Sequence, residues 1–294
     1  MILFSFNFLV KGQNIISTLT NSGTRNAAMG NANISEIYDV SGMYENPSSI
    51  VYLKNSNFIL NHIQMKNNLG MLENFALPVL PGGPLMLAFG FDLYHLGYLS
   101  KYDNLADQHI LEYGYDMAAA YAVATTFSIG ASASFRLGKT DNSQQWASFY
   151  SLGINYFPSA DISYGVVLKG LGNGIQYLKD NELLLQAEGY QLSRSLEIGA
   201  TMRYPSTSSL RRAVFKMSLA NEKIFKQSGL FYKGGIEVSP FDFLQLRFGY
   251  VVGPNISETR LGFGLIFDNI ILDYAFYPHQ ISRVLQQFSL SVNI

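Results

Sequence analysis

Residues 127–137 read FSIGASASFRL, and large apolar side chains recur at odd-numbered positions of this stretch. Ile129, Phe135 and Leu137 lie on that side, with two alanines between them. The even positions hold serine, glycine and Arg136. Alternation with a period of two residues is typical of a β-strand that has one apolar face and one polar or small face. The stretch therefore predicts a strand over its whole length.

The same alternation recurs through the chain to its last residue. It is found in residues 85–93, 150–156, 196–204, 244–250, 261–267, 270–276 and 288–294. Strands of about ten residues have the length that a tilted crossing of a bilayer requires. Bacterial single-chain barrels have an even number of strands, so the spacing predicts 14, with 12 and 16 as alternatives.

Composition favours a membrane barrel over the other fold classes. Charged residues make up 14% of the chain, whereas a soluble domain has about 25%. Mean hydropathy is only +0.10, and after residue 10 no apolar run approaches the ~20 residues of a spanning helix. A soluble β-sandwich would need charged outer faces, but the positions between the apolar residues hold mainly glycine, serine, alanine and threonine. We therefore predict an all-β, transmembrane, antiparallel up-and-down β-barrel in contact with outer-membrane lipid.

The N-terminal part of the chain does not follow this pattern. Residues 2–10 are mostly apolar and precede Lys11-Gly12-Gln13, so residues 1–12 are expected to be the remnant of a signal peptide, with a first strand as the alternative. Residues 13–53 lack alternation and are expected to form a plug segment in the barrel lumen, with a periplasmic tail as the alternative. Residues 54–294 are then the barrel.

The lengths and residues of the turns predict which end of the barrel faces the periplasm and which faces the outside of the cell. Short connections are expected at Thr125-Thr126, Pro158–Ala160, Ser239-Pro240-Phe241 and Asp268-Asn269, and short turns are typical of the periplasmic rim. The longest polar connection, Gly170–Arg194, is expected to be an extracellular loop.

Several charged residues fall on the face that is predicted to point inward. Their expected role is structural: ion pairs that cross the lumen and hold the plug, because an unpaired buried charge is costly. These candidate lumen charges are Asp92, Arg136, Lys169, Glu197, Arg203, Lys233, Glu237, Arg247 and Asp273.

The sequence offers no chemistry for catalysis. The four histidines, at positions 62, 95, 109 and 279, show no metal-ligand spacing, and cysteine is absent. No serine lies in a nucleophile motif. Net charge is −1 with scattered lysine and arginine, so nucleic acid is not expected as a partner. We expect no catalytic residue, no metal and no cofactor, and therefore no enzyme.

The N-terminal segment carries the one motif that resembles a known family. Arg25 precedes Met29-Gly30, Asp39 follows in an acidic segment, and Asn46-Pro47-Ser48 comes directly before the first predicted strand. This order resembles the PorV/PorQ family, relatives of the FadL-type barrels, with serine in place of the usual alanine after Asn46-Pro47. Shorter similarities, such as Tyr102-Asp103-Asn104, extend the resemblance over most of the chain.

The resemblance implies a location and two competing functions. It implies the outer membrane of a Gram-negative, Bacteroidota-like bacterium. The first function is that of the PorV/PorQ branch: binding or handing over exported proteins in type IX secretion and surface attachment, with secretion components or cargo C-terminal domains as partners. The alternative is a FadL-like passive transporter of a hydrophobic small molecule. The inward positions inferred from the sequence are mostly small or polar, which argues against an apolar ligand. Such residues also suit water, so a structural or general porin-like protein is a third alternative.

Overall fold

The structure is a computed structural model of the chain. It describes residues 23–36, 39–53, 57–65, 70–79, 83–96, 110–139, 144–172, 176–179, 182–184, 194–204, 215–225, 227–254, 256–279 and 283–293. The expected signal-peptide remnant, residues 1–12, and the motif at residues 102–104 lie outside these ranges.

Sixteen strands form a single antiparallel sheet. In chain order they are β1 (Asn57–Met65), β2 (Gly70–Val79), β3 (Leu85–Leu96), β4 (Ile110–Ala124), β5 (Phe127–Lys139), β6 (Gln144–Tyr156), β7 (Ile162–Leu171), β8 (Gln176–Lys179), β9 (Glu182–Leu184), β10 (Ser195–Tyr204), β11 (Phe215–Ile224), β12 (Phe231–Phe241), β13 (Leu244–Val252), β14 (Ser257–Phe267), β15 (Ile270–His279) and β16 (Arg283–Asn293).

Fourteen of these strands, all except β8 and β9, close a barrel. Each pairs with its neighbours in the chain, and β1 pairs with β16 from Asn57↔Asn293 to Met65↔Leu285. Closure leaves these strands without a free edge, which is the condition for spanning a bilayer with strands. The predicted 14-stranded up-and-down barrel is confirmed.

The outer face of the barrel is apolar and the inner face is small or polar. On β6, for example, Leu152 is 53% exposed and Ile154 is 43% exposed, whereas the alternate residues Gly153 and Asn155 are buried. Apolar side chains on the outside avoid water only if lipid surrounds them, so the low charge content follows from this division of faces.

Two details of the strands differ from the sequence-based expectations. The turn expected at Ser239-Pro240-Phe241 is wrong, because β12 continues to Phe241 and the turn is Asp242-Phe243. The register of β12 against β13 shifts between Val238 and Phe241, and such an irregularity accommodates a proline within a strand. The expected loop Gly170–Arg194 contains β8 and β9. Strand β8 pairs with the first three residues of β6, Gln144–Trp146.

Within the described residues that precede β1 there are three short helices: α1 (Thr24–Ala28), α2 (Gly42–Glu45) and a 3₁₀ helix, η1 (Pro47–Tyr52). Nearly all of their residues are buried. No helix in the described part of the chain has both the length and the apolar character needed to cross a membrane. The buried core of the molecule therefore lies between these helices and the inner face of the barrel.

Candidate functional site

Residues 23–36 and 39–53, here called the plug, lie inside the barrel. η1 contacts β3, β4, β5 and β6, and α1 contacts β13 to β16. Met29, Ile34 and Met43 are at most 1% exposed although the plug has no long helix or strand of its own. The plug therefore depends on the barrel wall for its shape.

The Met29-Gly30 pair of the motif fixes one side of the plug. Gly30 follows α1 with φ +71°, a left-handed conformation that favours glycine. A Cβ at Gly30 would also lie 2.8 Å from Gly234 O and 3.1 Å from Tyr250 N. Gly30 thus allows both the turn after α1 and the close approach of the plug to β12 and β13.

The Asn46-Pro47 pair fixes the opposite side. The Asn46 side chain accepts hydrogen bonds from Ser48 N (3.2 Å) and Ser48 Oγ (2.7 Å), which caps the start of η1. Its Nδ2 donates to Ile34 O within the plug at 2.9 Å and to Ile154 O in β6 at 3.1 Å. Pro47 occupies the first position of η1, where a backbone N–H would have no partner within the helix, so the missing N–H of proline costs nothing there. One side chain therefore joins two parts of the plug to the wall.

Seven glycines of the wall lie against the plug, each without room for a Cβ. We call them the contact glycines: Gly130, Gly153, Gly165, Gly199, Gly235, Gly249 and Gly262. Six of them stand opposite each other in the register of neighbouring strands, as Gly130↔Gly153, Gly165↔Gly199 and Gly235↔Gly249.

A side chain at a contact glycine would overlap the plug. A Cβ at Gly165 would lie 2.6 Å from Ile34 O, and one at Gly249 would lie 2.6 Å from Ala28 O. Because these neighbours are backbone atoms, no side-chain rotation could relieve the overlap. At Gly165 and Gly249 glycine is therefore required by the plug and not only by the curvature of the sheet.

An ion-pair cluster joins the plug to β10–β15. Arg25 donates from Nε to Glu237 Oε2 at 2.7 Å and from Nη2 to Glu237 Oε1 at 2.8 Å. Arg247 also contacts Glu237, at 2.8 Å, and reaches Asp273 at 2.5 Å. From the plug, Glu36 lies 2.7 Å from Lys216 Nζ. All of these side chains are at most 16% exposed, so solvent screens the cluster only weakly.

The cluster controls the charge of Glu36. Burial opposes its ionisation, but the positive charges of Lys216, Arg25 and Arg203 outweigh that effect and lower the pKa of Glu36 below its ordinary value. Glu36 is therefore held as a carboxylate on the plug, where it completes the pairing with the wall.

The remaining candidate lumen charges form two further groups. Lys169 and Lys233 both contact Glu197, at 3.0 and 2.8 Å, and Lys233 also contacts Glu222 at 2.8 Å. In the other group Arg136 lies 2.7 Å from Asp92 and 3.0 Å from Asp116, with Glu112 at 4.0 Å. The nine candidate lumen charges thus fall into three groups, and Arg25 and Glu36 of the plug belong to the first.

Sequence reasoning missed five members of these groups: Glu36, Glu112, Asp116, Lys216 and Glu222. The four on strands were recoverable, because alternation through β4 and β11 places them on the inner face. Glu36 had no such signal, since the plug has no periodic pattern.

Asp39 of the motif has a different role from Arg25. It accepts hydrogen bonds from Ser41 N, at 2.8 Å, and from Ser41 Oγ. Burial raises the pKa of Asp39 to about 6. Asp39 therefore shapes the turn before α2 and stays outside the cluster around Glu237.

The lumen also has an apolar side, which the sequence analysis did not anticipate. Inward residues of the strands flanking the β1–β16 closure form it together with plug residues; those of the wall include Ile59, Ile63, Met86, Tyr94 and Leu285, each at most 2% exposed. Val40, Met43 and Ile50 of the plug pack in the same cluster as Ile59 and Met86. We call the five wall residues the apolar lumen side. Asp92 stands between Met86 and Tyr94 on the inner face of β3, so the apolar lumen side adjoins the ion pairs of Arg136.

Glu45 of α2 is a buried carboxyl group without a close compensating charge. Its Oε1 accepts from Gly23 N at 2.8 Å and from Asn26 Nδ2 at 3.1 Å, while Oε2 has no hydrogen-bond partner among the described residues. Burial raises the pKa of Glu45 from 4.5 to about 7; Lys169 counteracts this in part and Asp39 adds to it.

We expect the plug to be held less strongly as pH rises. Between pH 4.5 and about 7 the folded protein binds more protons at Glu45 than the unfolded chain does, so the free energy of unfolding falls across that interval. The full effect is at most about 3 kcal/mol, at ~1.4 kcal/mol per unit of pKa. Urea titration in lipid vesicles at pH 5 and pH 8 measures it.

Glu45→Gln should reduce this pH dependence, because the amide does not ionise. The exposed turn variant Asp242→Asn should keep the wild-type dependence. An identical pH dependence in the Glu45→Gln variant and the wild type would show that Glu45 does not carry the effect.

The described residues contain no group of three or more histidine, aspartate or glutamate side chains that could hold a metal ion. Among the described residues the lumen is filled by the plug, which ion pairs and apolar contacts join to the wall.

No family model and no curated protein matches the sequence. Solved structures do match the fold, at low identity. The toluene transporter TodX of Pseudomonas putida aligns with a TM-score of 0.65 at 10% identity, over 93% of this chain and 97% of TodX. The monoaromatic hydrocarbon channel CymD gives 0.68 at 12% identity, over 94% and 98%.

A FadL homologue of Pseudomonas aeruginosa gives a TM-score of 0.58 at 12% identity, over 92% of this chain and 98% of the homologue. These alignments span both the plug and the barrel, because nearly the whole of each chain is covered. Identities of 10–12% establish likeness of fold alone. The chain therefore shares its fold with these three proteins.

Proposed function

We propose that this protein lies in the outer membrane and lets hydrophobic small molecules cross it passively. The observation that carries this proposal is the apolar lumen side, whose buried residues pack against apolar residues of the plug. A hydrophobic solute would pass along Ile63, Met86 and Tyr94 when the plug shifts from them, while the ion pairs around Glu237 keep the plug attached to the wall.

The likeness of fold supports the same proposal. TodX is a toluene transporter and CymD a monoaromatic hydrocarbon channel. A shared fold does not determine a shared ligand. The apolar lumen side nevertheless suits a ligand of that class, since apolar lining with few polar groups is typical of sites for hydrophobic molecules.

Uptake of radiolabelled toluene by Gram-negative cells that lack their own hydrocarbon channel tests the proposal. Cells that express the protein should take up toluene faster than cells with an empty vector. Met86→Gln should lower the rate about tenfold, because an amide without a partner in an apolar site costs roughly 1–3 kcal/mol and ~1.4 kcal/mol is a factor of ten. Ser218→Ala, on the polar wall, should leave the rate unchanged.

Uptake no faster than with the empty vector would reject transport of this class of molecule. Equal effects of Met86→Gln and Ser218→Ala would reject a route along the apolar lumen side. Heat-modifiable migration in electrophoresis confirms that each variant forms a folded barrel.

A second candidate is the PorV/PorQ type of function in type IX secretion. What favours it is that motif residues Arg25, Gly30 and Asn46 make the contacts between plug and wall described above. Under this hypothesis a tagged protein recovers translocon components or cargo C-terminal domains from its native membrane. Recovery of neither, together with toluene uptake, would favour the transporter.

A further inference from the structure

A concave apolar surface lies on the outside of the barrel, across β3 to β7. It has a volume of about 480 Å³ and is lined by outward side chains that include Leu85, Ala119, Ala131, Leu152 and Val166. Leu85 and Leu152 are 44% and 53% exposed, so this groove opens outward and not into the lumen. Its size lies within the range of ligand pockets, roughly 300–1,000 Å³.

Small residues at facing positions create the groove. Ala119 of β4 stands opposite Ala131 of β5, and larger side chains, Tyr121, Ile129 and Ile154, rise around them. Elsewhere on the outer face large apolar residues occupy most outward positions of neighbouring strands. Two adjacent alanines therefore leave a local depression in a surface that is otherwise covered by long side chains.

The inner side of the same wall is in direct contact with the plug. Gly130 and Gly153 line the groove through their backbones and are contact glycines toward Asn46, Pro47 and Ser48. Ser128 Oγ donates to Ser48 O at 2.9 Å, beside the groove. A single layer of backbone thus separates the groove from the plug, so the depression cannot be filled from the lumen.

The groove lies toward the end of the barrel that carries the short turns. Leu85 begins β3, Tyr121 lies near the end of β4, and Ile154 lies near the end of β6. Tyr156 and Tyr164 stack with ring centroids 6.5 Å apart at the same end, as in the aromatic girdle at a membrane interface. Because short turns are typical of the periplasmic rim, the groove is at the depth of the acyl chains of the periplasmic leaflet.

We propose that the groove binds an acyl chain of a membrane phospholipid. The occupant follows from continuity with the lipid-facing surface: the groove is a depression in that surface, and the molecule that covers its surroundings is the phospholipid of the inner leaflet. Burying each methylene of a chain contributes about 0.8 kcal/mol. The groove therefore retains one lipid more strongly than the flat wall retains its neighbours, and this does not depend on what the barrel transports.

Native mass spectrometry of the protein, extracted in mild detergent and supplied with dipalmitoyl phosphatidylethanolamine, tests the proposal. The wild type should retain a single phospholipid after detergent washing. The double variant Ala119→Leu/Ala131→Leu should lose it, because the leucines fill the depression. Ala200→Leu, an outward alanine on β10 that does not itself line the groove, should retain it.

Two results would overturn the proposal. The first is equal phospholipid retention by the double variant and Ala200→Leu, which would place the bound lipid elsewhere. The second is a wild-type barrel that retains no phospholipid, or that retains only another hydrophobic compound. Heat-modifiable migration of both variants ensures that a loss of lipid reflects a filled groove and not an unfolded barrel.

Discussion

Gly130→Val is expected to displace the plug from the β5–β6 wall. A Cβ at Gly130 would overlap Ser48 N and would lie 2.6 Å from both Pro47 C and Ser48 Cα. These are backbone atoms held by the Asn46 hydrogen bonds, so the plug must move as a unit or the barrel must widen. The cost should reach or exceed the ~1–3 kcal/mol of an ordinary overpacked core. Planar-bilayer conductance should rise from a closed to an open state.

Gly138→Val is the matched control for this variant. Gly138 also points inward on β5, but a Cβ there would meet only Gln145 Cβ, at 3.8 Å, which is an ordinary contact. Gly138→Val should therefore keep the wild-type conductance. If Gly130→Val stays closed as well, or if both variants open, contact with the plug is not what requires glycine at position 130.

The barrel could be predicted from the sequence because the alternation that specifies each strand is local and recurs along the chain. Strands such as β5 alternate over their whole length, and lipid on one side enforces the pattern at each outward position. The turn of β12 was misplaced for an equally local reason: Pro240 reads as a turn residue, but the register shift against β13 lets it stay in the strand.

The interior could be predicted only in part. Alternation places Arg247 and Asp273 on the inner face, but pairing between strands distant in sequence decides which charges meet, as Arg25 with Glu237. The apolar lumen side was missed because the inner face of β3 still reads as small or polar, with Gly90 and Asp92 between Met86 and Tyr94. Two large residues do not change the period of the strand, and their packing with the plug depends on residues distant in sequence.

Glu237→Gln is expected to lower the free energy of unfolding more than the loss of any other single ion pair in the lumen. Glu237 is 1% exposed and contacts Arg25, Arg247 and Lys216, the last at 3.3 Å. The amide keeps the shape but leaves three buried cations short of one negative charge. Removing one partner of a buried ion pair typically costs about 3–5 kcal/mol. Urea titration in lipid vesicles should show a loss of that order.

Two further variants separate loss of charge balance from loss of shape. Glu258→Gln breaks a single ion pair, with Arg260 at 3.0 Å, and Arg260 keeps its contact with the Tyr277 ring, so its cost should be smaller than that of a carboxylate with three cationic partners. Adding Arg25→Met to Glu237→Gln should recover part of the stability, because it removes one of the excess cations while Glu36 retains Lys216. A double variant less stable than Glu237→Gln alone would mean that Arg25 holds the plug by packing and hydrogen bonding, and that balance of charge in the lumen is secondary.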